Sequence, residues 1–108
     1  MKTKYVVLRR LAELDVEQAI AHYLTEGGAD LALRFVDTLE DALREVGLRP
    51  AAGSPRYAHE LNLPGLRTWP IRRFPYLVFH VDGGEYIDVW RVLHQQRDIP
   101  HWLDAIAE

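Results

Sequence analysis

Three β-prone segments separated by turn-forming residues lie between residues 66 and 100, and they constrain the fold more than any other part of the chain. Aromatic and β-branched side chains are frequent in each segment, which predicts three strands. Asp82-Gly83-Gly84 favours a tight hairpin between the last two strands. Pro75 predicts a bend between the first two, because proline has no N–H to donate to a central ladder. The predicted strands span about residues 67–72, 76–81 and 86–93.

The residues before this sheet show mainly helical periodicity. A short β-prone run over residues 5–10 predicts a first strand. Gly27 and Gly28 then separate two amphipathic segments, and Gly47 and Pro50 end the second one. Two helices joined by two glycines predict an antiparallel hairpin. Its apolar stripe consists of Val16, Ala19, Ile20, Tyr23 and Leu24 in the first helix, and of Ala32, Phe35, Val36, Leu39, Leu43 and Val46 in the second.

The remaining segments complete the order β-α-α-β-β-β-α. Asp15 with Gln18 fits a capping box near the start of the first helix; the alternative is a helix that begins nearer Leu11. Proline and glycine are frequent over residues 49–65, which predicts a loop of functional interest that is irregular over most of its length. Asp98 is a suitable N-cap for a short C-terminal helix. We therefore expect one α+β domain over residues 1–108, in which the helical hairpin packs on a small, largely antiparallel sheet.

Charge and cysteine content narrow the functional classes. The chain has 108 residues, a net charge of −3 and no cysteine, which excludes disulfides and thiolate chemistry. Lys2, Lys4, Arg9 and Arg10 make the N-terminus basic, whereas residues 11–48 are strongly acidic. Proteins that grip a long nucleic-acid backbone usually present a strong positive field, which this chain lacks overall. No apolar run is long enough for a signal peptide or a membrane span, so we expect a soluble cytoplasmic protein.

Basic and aromatic side chains cluster on the predicted sheet and at its ends. Arginine forks bind phosphate, and histidine transfers protons near neutral pH, so the cluster is a candidate for RNA binding or cleavage. The alternative interpretation, favoured by composition alone, is local ion pairing and packing. The cluster comprises Arg67, Arg72, Arg73, Tyr76, His80, Trp90, Arg91, His94 and Arg97.

Strand alternation divides these residues between the two faces of the sheet. It places Arg91 and Leu93 on the same face as Ile87 and Val89. The histidines do not have the spacing of a metal site, and the chain has neither a phosphate-binding glycine loop nor a nucleophile motif. We therefore expect no metal and no cofactor.

The order of elements and three motifs make the chain similar to the RelE/ParE superfamily of bacterial toxins, which are the toxic halves of type II toxin–antitoxin modules. The resemblance covers nearly the whole chain. Its most specific piece is the run Arg-Val-Leu-His followed by Arg-Asp near the C-terminus. The motifs occupy residues 63–67, 73–79 and 91–100.

The resemblance implies one of two activities. RelE-like members cut messenger RNA on the ribosome with a dense set of lysines and arginines, whereas ParE-like members are associated with inhibition of DNA gyrase. The chain has no lysine after Lys4, and Gln95 and Gln96 follow His94, so it resembles the ParE-like branch. The target-binding residues would then be Arg67, Arg72, Arg73, Arg91, His94 and Arg97.

Two alternatives remain open on the resemblance. The first is a RelE-like ribonuclease that acts on ribosome-bound messenger RNA. The second is an inactive relative that only binds its antitoxin. The catalytic residues of the ribonuclease would be Arg73, Arg91, His94 and Arg97.

The resemblance also implies a partner, a ParD-like antitoxin, through which any contact with DNA would be indirect. We expect it to dock on the exposed sides of the helical hairpin and on the open face of the sheet. An amphipathic helix in an apolar groove, with strand addition at a sheet edge, would suit such a complex. The residues expected to serve folding or antitoxin binding are Tyr5, Leu24, Phe79 and Trp102.

Overall fold

Six elements of secondary structure follow one another in the computed structural model, which describes residues 3–96 and Ile99. The predicted C-terminal helix lies outside the described residues, apart from Ile99. The remaining order agrees with the sequence, with one helix added before the second strand. The elements are β1 (Tyr5–Leu8), α1 (Arg10–Leu48), α2 (Arg56–Leu61), β2 (Arg67–Pro70), β3 (Tyr76–Asp82) and β4 (Tyr86–His94).

Helix α1 is two helices joined at a sharp break. A straight helix of its 39 residues would be roughly 58 Å long, but the longest dimension of the molecule is 38 Å. The break is at Gly28, whose φ of 74° and ψ of −168° are not helical. Beyond it the chain turns back, so that the ring of Phe35 lies 5.3 Å from that of Tyr23. The predicted helical hairpin is therefore confirmed.

Replacing Gly28 by alanine should lower the free energy of unfolding by about 1–3 kcal/mol, because this φ,ψ region is almost restricted to glycine. A methyl group at this position would have no atom within 4 Å, so the cost lies in the backbone and not in a clash. Urea denaturation measures the change. Glu26→Ala, on the exposed helix surface nearby, is the control and should stay within about 0.5 kcal/mol of the parent. Equal stability of Gly28→Ala and the parent would contradict the break at this residue.

The four strands form one sheet in the order β1-β4-β3-β2. Strand β1 pairs with β4 in parallel, and the other two pairings are antiparallel. The predicted turn joins β3 to β4, with Gly83 N–H donating to Tyr86 O at 2.9 Å and Gly84 at a φ of 95°. The fold is thus the expected α+β arrangement with a largely antiparallel sheet.

A β-bulge in β4 changes which side chains share a face. Phe79 is opposite Arg91 and His80 is opposite Val89, so Trp90 has no partner across the ladder. The extra residue shifts the alternation, so that Val92 rather than Leu93 joins the core beneath α1. The prediction that Ile87, Val89, Arg91 and Leu93 all lie on one face of the sheet is therefore wrong.

Each face of the sheet carries its own apolar core. The inner core lies between the sheet and α1, and it includes Phe35, Val78 and Val89. The outer core lies on the opposite face, where Leu66 and Phe79 are fully buried. These two layers account for nearly all of the apolar positions in the strands.

Helix α2 covers the outer core and occupies the middle of residues 49–65, the rest of which is irregular, as predicted for most of this segment. Tyr57, Ala58 and Leu61 recur at helical spacing and pack against the outer core. The prolines flank this helix without interrupting it, since Pro55 is its N-cap residue. Tertiary burial of three apolar residues therefore decides the conformation of a segment whose local composition favours turns.

Candidate functional site

Arg91 is part of the protein interior and not of an exposed basic surface. Its Nε and Nη2 donate to the two carboxylate oxygens of Asp15, each at 2.7 Å. The side chains of Arg91 and Asp15 are only 4% and 10% exposed, respectively. Arg91 was predicted to take part in target binding or catalysis, and the structure places its guanidinium in a buried bidentate ion pair instead of on the exposed surface.

The same carboxylate also completes the edge of β4. Strand β1 ends at Leu8, opposite Val89, so no strand among the described residues lies on that side of the following part of β4. Asp15 Oδ2 accepts the backbone N–H of Val92 there, at 3.0 Å. Helix α1 begins at Arg10, which agrees with the alternative start near Leu11 and not with a capping box at Asp15; its N-cap, Arg9, makes no side-chain capping hydrogen bond. Asp15 instead links the first helix to the last strand.

His94 lies at the end of β4 and lines a cavity of about 360 Å³ together with Gln18 and His22. Its Nδ1 accepts the backbone N–H of Gln96 at 3.1 Å, which places the proton of the neutral ring on Nε2. The ring packs edge-on to Tyr76 at 5.2 Å. His94 is thus accessible, but it lies in a cavity of its own.

Arg67 is half-buried and pairs with His80 across β2 and β3. Its Nη1 donates to Gly53 O at 3.5 Å. His80 is fully buried, and neither ring nitrogen has a hydrogen-bond partner among the described residues. Burial, with a smaller contribution from the charge of Arg67, lowers the pKa of His80 from 6.5 to about 4. This imidazole is therefore a neutral core residue at physiological pH.

Arg72 and Arg73 are the exposed members of the predicted basic cluster. They lie in the turn between β2 and β3, where Phe74 N–H donates to Ile71 O at 3.3 Å. They line a groove of about 650 Å³ that also includes Trp69. We call this groove the arginine-turn groove; its other wall is the second half of α1, with Thr38, Asp41 and Glu45. The sequence-predicted cluster is thus divided between this groove, the His94 cavity and the interior.

The residues predicted for antitoxin binding have different environments. Tyr5 and Leu24 are 64% and 53% exposed, as a contact surface requires. Phe79 is fully buried in the outer core, with its ring 5.4 Å from that of Tyr57. Of the two roles predicted for Phe79, this burial favours folding over contact with the antitoxin. Trp102 lies outside the described residues, as does the predicted target-binding residue Arg97.

Sequence reasoning did not anticipate the partners supplied by α1. Asp15 is separated from Arg91 by 76 positions, and its own neighbourhood resembles an ordinary helix start. Thr38, Asp41 and Glu45 recur at the spacing of one helix face, which predicts a shared surface but not what that surface faces. The signal that relates them to the arginine turn exists only in the folded chain.

Within residues 3–96 and Ile99, no three His, Cys, Asp or Glu residues are arranged to hold a metal ion. None of the helices described there has the length and apolar character needed to cross a membrane.

The fold defines a class: small α+β domains with a helical hairpin on a mixed four-stranded sheet. A solved structure of the chromosomal ParDE TA system from P. aeruginosa has a similar fold, with a TM-score of 0.70 and 22% sequence identity. The match covers 85% of this chain and 96% of that one. No curated protein matches the sequence.

The family assignment rests on the sequence itself. Residues 6–99 match the family described as ParE toxin of type II toxin-antitoxin system, parDE. The chain belongs to this family, which confirms the predicted ParE-like branch of the RelE/ParE superfamily.

Proposed function

We propose that this protein is a cytoplasmic toxin that inhibits DNA gyrase and is neutralised by a ParD-type antitoxin. The observation that carries the proposal is the buried ion pair between Arg91 and Asp15. Arg91 is one of the four catalytic residues predicted for a ribonuclease of the RelE type, and the ion pair keeps its side chain away from RNA. Arg73 and His94, two others of that set, line different cavities. Protein recognition is therefore better supported than RNA cleavage.

Exposed apolar side chains support an antitoxin partner. Large hydrophobic residues of both β1 and α1 are open to solvent, namely Tyr5 and Val7 on the strand and Leu24 and Leu33 on the helix, with 43% to 64% of each exposed. Stable protein complexes bury such residues, whereas an isolated domain gains nothing from exposing them. The antitoxin would cover these residues in the neutralised complex.

Purified protein should abolish supercoiling of relaxed plasmid by gyrase, and prior addition of its ParD-type antitoxin should restore supercoiling. Gel electrophoresis of the plasmid measures both effects. Relaxation by a type I topoisomerase is the control and should proceed unchanged. Full supercoiling at saturating protein would contradict the proposal. Cleavage of messenger RNA on translating ribosomes, lost in His94→Ala, would favour the ribonuclease, and unaffected growth on expression would favour an inactive relative.

A further inference from the structure

The two exposed arginines occupy the central positions of a tight turn. Ile71 is buried and anchors this turn, since its carbonyl accepts Phe74 N–H at 3.3 Å and its N–H donates to Tyr76 O at 3.0 Å. Arg72 and Arg73 therefore project from a short segment held at both ends. The sheet fixes the backbone positions of both arginines, so the two guanidinium groups extend from a well-defined turn.

The backbone of Arg73 is strained. Its φ is 69°, in the left-handed region that glycine and asparagine adopt most readily. Glycine would satisfy this turn without the steric cost that a Cβ atom brings. Strained residues that persist in a fold concentrate at functional sites. The presence of arginine here is therefore explained by what its side chain does and not by what the turn needs.

The arginine-turn groove presents unused donors to solvent. The carboxylates on its helical wall have cationic partners already: Asp41 is 2.8 Å from Arg44, and Glu45 is 3.7 Å from Arg49. Among the residues that the structure describes, neither arginine of the turn forms an ion pair. Two guanidinium forks thus remain open beside the half-buried indole of Trp69.

We propose that the arginine-turn groove binds an acidic segment of the protein target, with carboxylates on Arg72 and Arg73 and an apolar side chain against Trp69. Bidentate pairing with carboxylate is the strongest recognition that an arginine fork offers. The volume of about 650 Å³ suits several side chains of one segment. This inference rests on the proposed function, since it takes the target to be a protein.

The groove differs in character from the surfaces assigned to the antitoxin. Tyr5 and Leu24 expose apolar area, which suits a long-lived complex, whereas the arginine turn exposes charge. Charged rims govern encounter and specificity in transient association. The acidic segment therefore belongs to the target, and the antitoxin covers the apolar residues.

The test compares Arg73→Gly, Arg72→Ala and the double variant with the parent chain. Arg34→Ala, an exposed arginine of α1 outside the groove, is the matched control for loss of positive charge. Arg73→Gly should keep or raise the melting temperature, because glycine relieves the strained φ. The double variant should need on the order of tenfold more protein for half-inhibition of gyrase supercoiling, because two charge-assisted contacts are lost. Affinity for the antitoxin, measured by calorimetry, should not change.

Separate outcomes identify which step is wrong. If the parent chain does not inhibit gyrase, the proposed function is overturned and this inference with it. If the parent inhibits and the double variant inhibits equally well, only the inference is overturned. Loss of antitoxin affinity in the double variant would assign the groove to the antitoxin instead. A clear fall in melting temperature for Arg73→Gly would show that arginine serves the fold there.

Discussion

Replacing Asp15 by alanine is expected to lower the free energy of unfolding by about 3–5 kcal/mol, the range for removing one partner of a buried ion pair. The substitution deprives the buried guanidinium of Arg91 of its bidentate carboxylate. It also removes the acceptor of the Val92 N–H at the uncovered edge of β4. A single exposed charge would not have this effect, because water replaces the lost partner.

Chemical denaturation measures the Asp15 effect, and Asp41→Ala supplies its control. The ion pair of Asp41 with Arg44 is mostly exposed, so its loss should change stability by only about 0.5 kcal/mol. The double variant Asp15→Leu with Arg91→Met should recover much of the stability lost in Asp15→Ala, since an apolar pair needs no charge compensation. A loss of under about 1 kcal/mol in Asp15→Ala would contradict the structural role assigned to this pair.

Stability should fall as the pH is lowered from about 6.5 to about 4, because of His80. Its pKa is about 4 in the folded chain and 6.5 when the imidazole is exposed. Within this window the unfolded chain binds a proton that the folded chain does not, so acidification favours unfolding. The contribution of His80 is complete above pH 6.5 and decreases by up to about 3 kcal/mol by pH 4.

The difference between variants isolates this effect from the titration of carboxyl groups. In His80→Leu the buried titratable group is absent, so its unfolding free energy should depend less on pH across this window than that of the parent. His59→Gln removes an exposed histidine of α2 and should retain the pH dependence of the parent. Equal slopes for His80→Leu and the parent would mean that His80 is not buried as a neutral ring.

The residue types of the candidate site were predictable from the sequence, but which of these residues lie together in the fold was not. Arg72, Arg73 and His94 were predicted as members of a cluster on the sheet and at its ends, and the structure places them on the surface or half-buried. Arg91 is the same type of residue in the same part of the sequence, yet it lies in the interior because it pairs with Asp15, a carboxylate 76 positions earlier. No local pattern reports such a pairing, because its distance is set by how the hairpin packs on the sheet.

The bulge at Trp90 illustrates the same limit for the sheet. Alternation is a reliable guide up to Val89, and one extra residue then reverses the faces of those that follow. Helix α2 is a second case, where burial of Tyr57 and Leu61 overrides a segment rich in turn-forming residues. In both cases packing energy exceeds the local preference of the backbone.

The sequence by itself determined the elements that depend on short-range physics: the hairpin turn at Gly83 and Gly84, the break at Gly28, and the periodicities that make one layer helical and the other a sheet. It also determined the family, through motifs between residues 63 and 100 and a family match over residues 6–99. Only the tertiary structure decided which charged groups are buried in pairs and which remain open. That decision depends on distances between residues remote in sequence, since Asp15 neutralises Arg91 while Arg72 and Arg73 are left facing solvent on a strained turn.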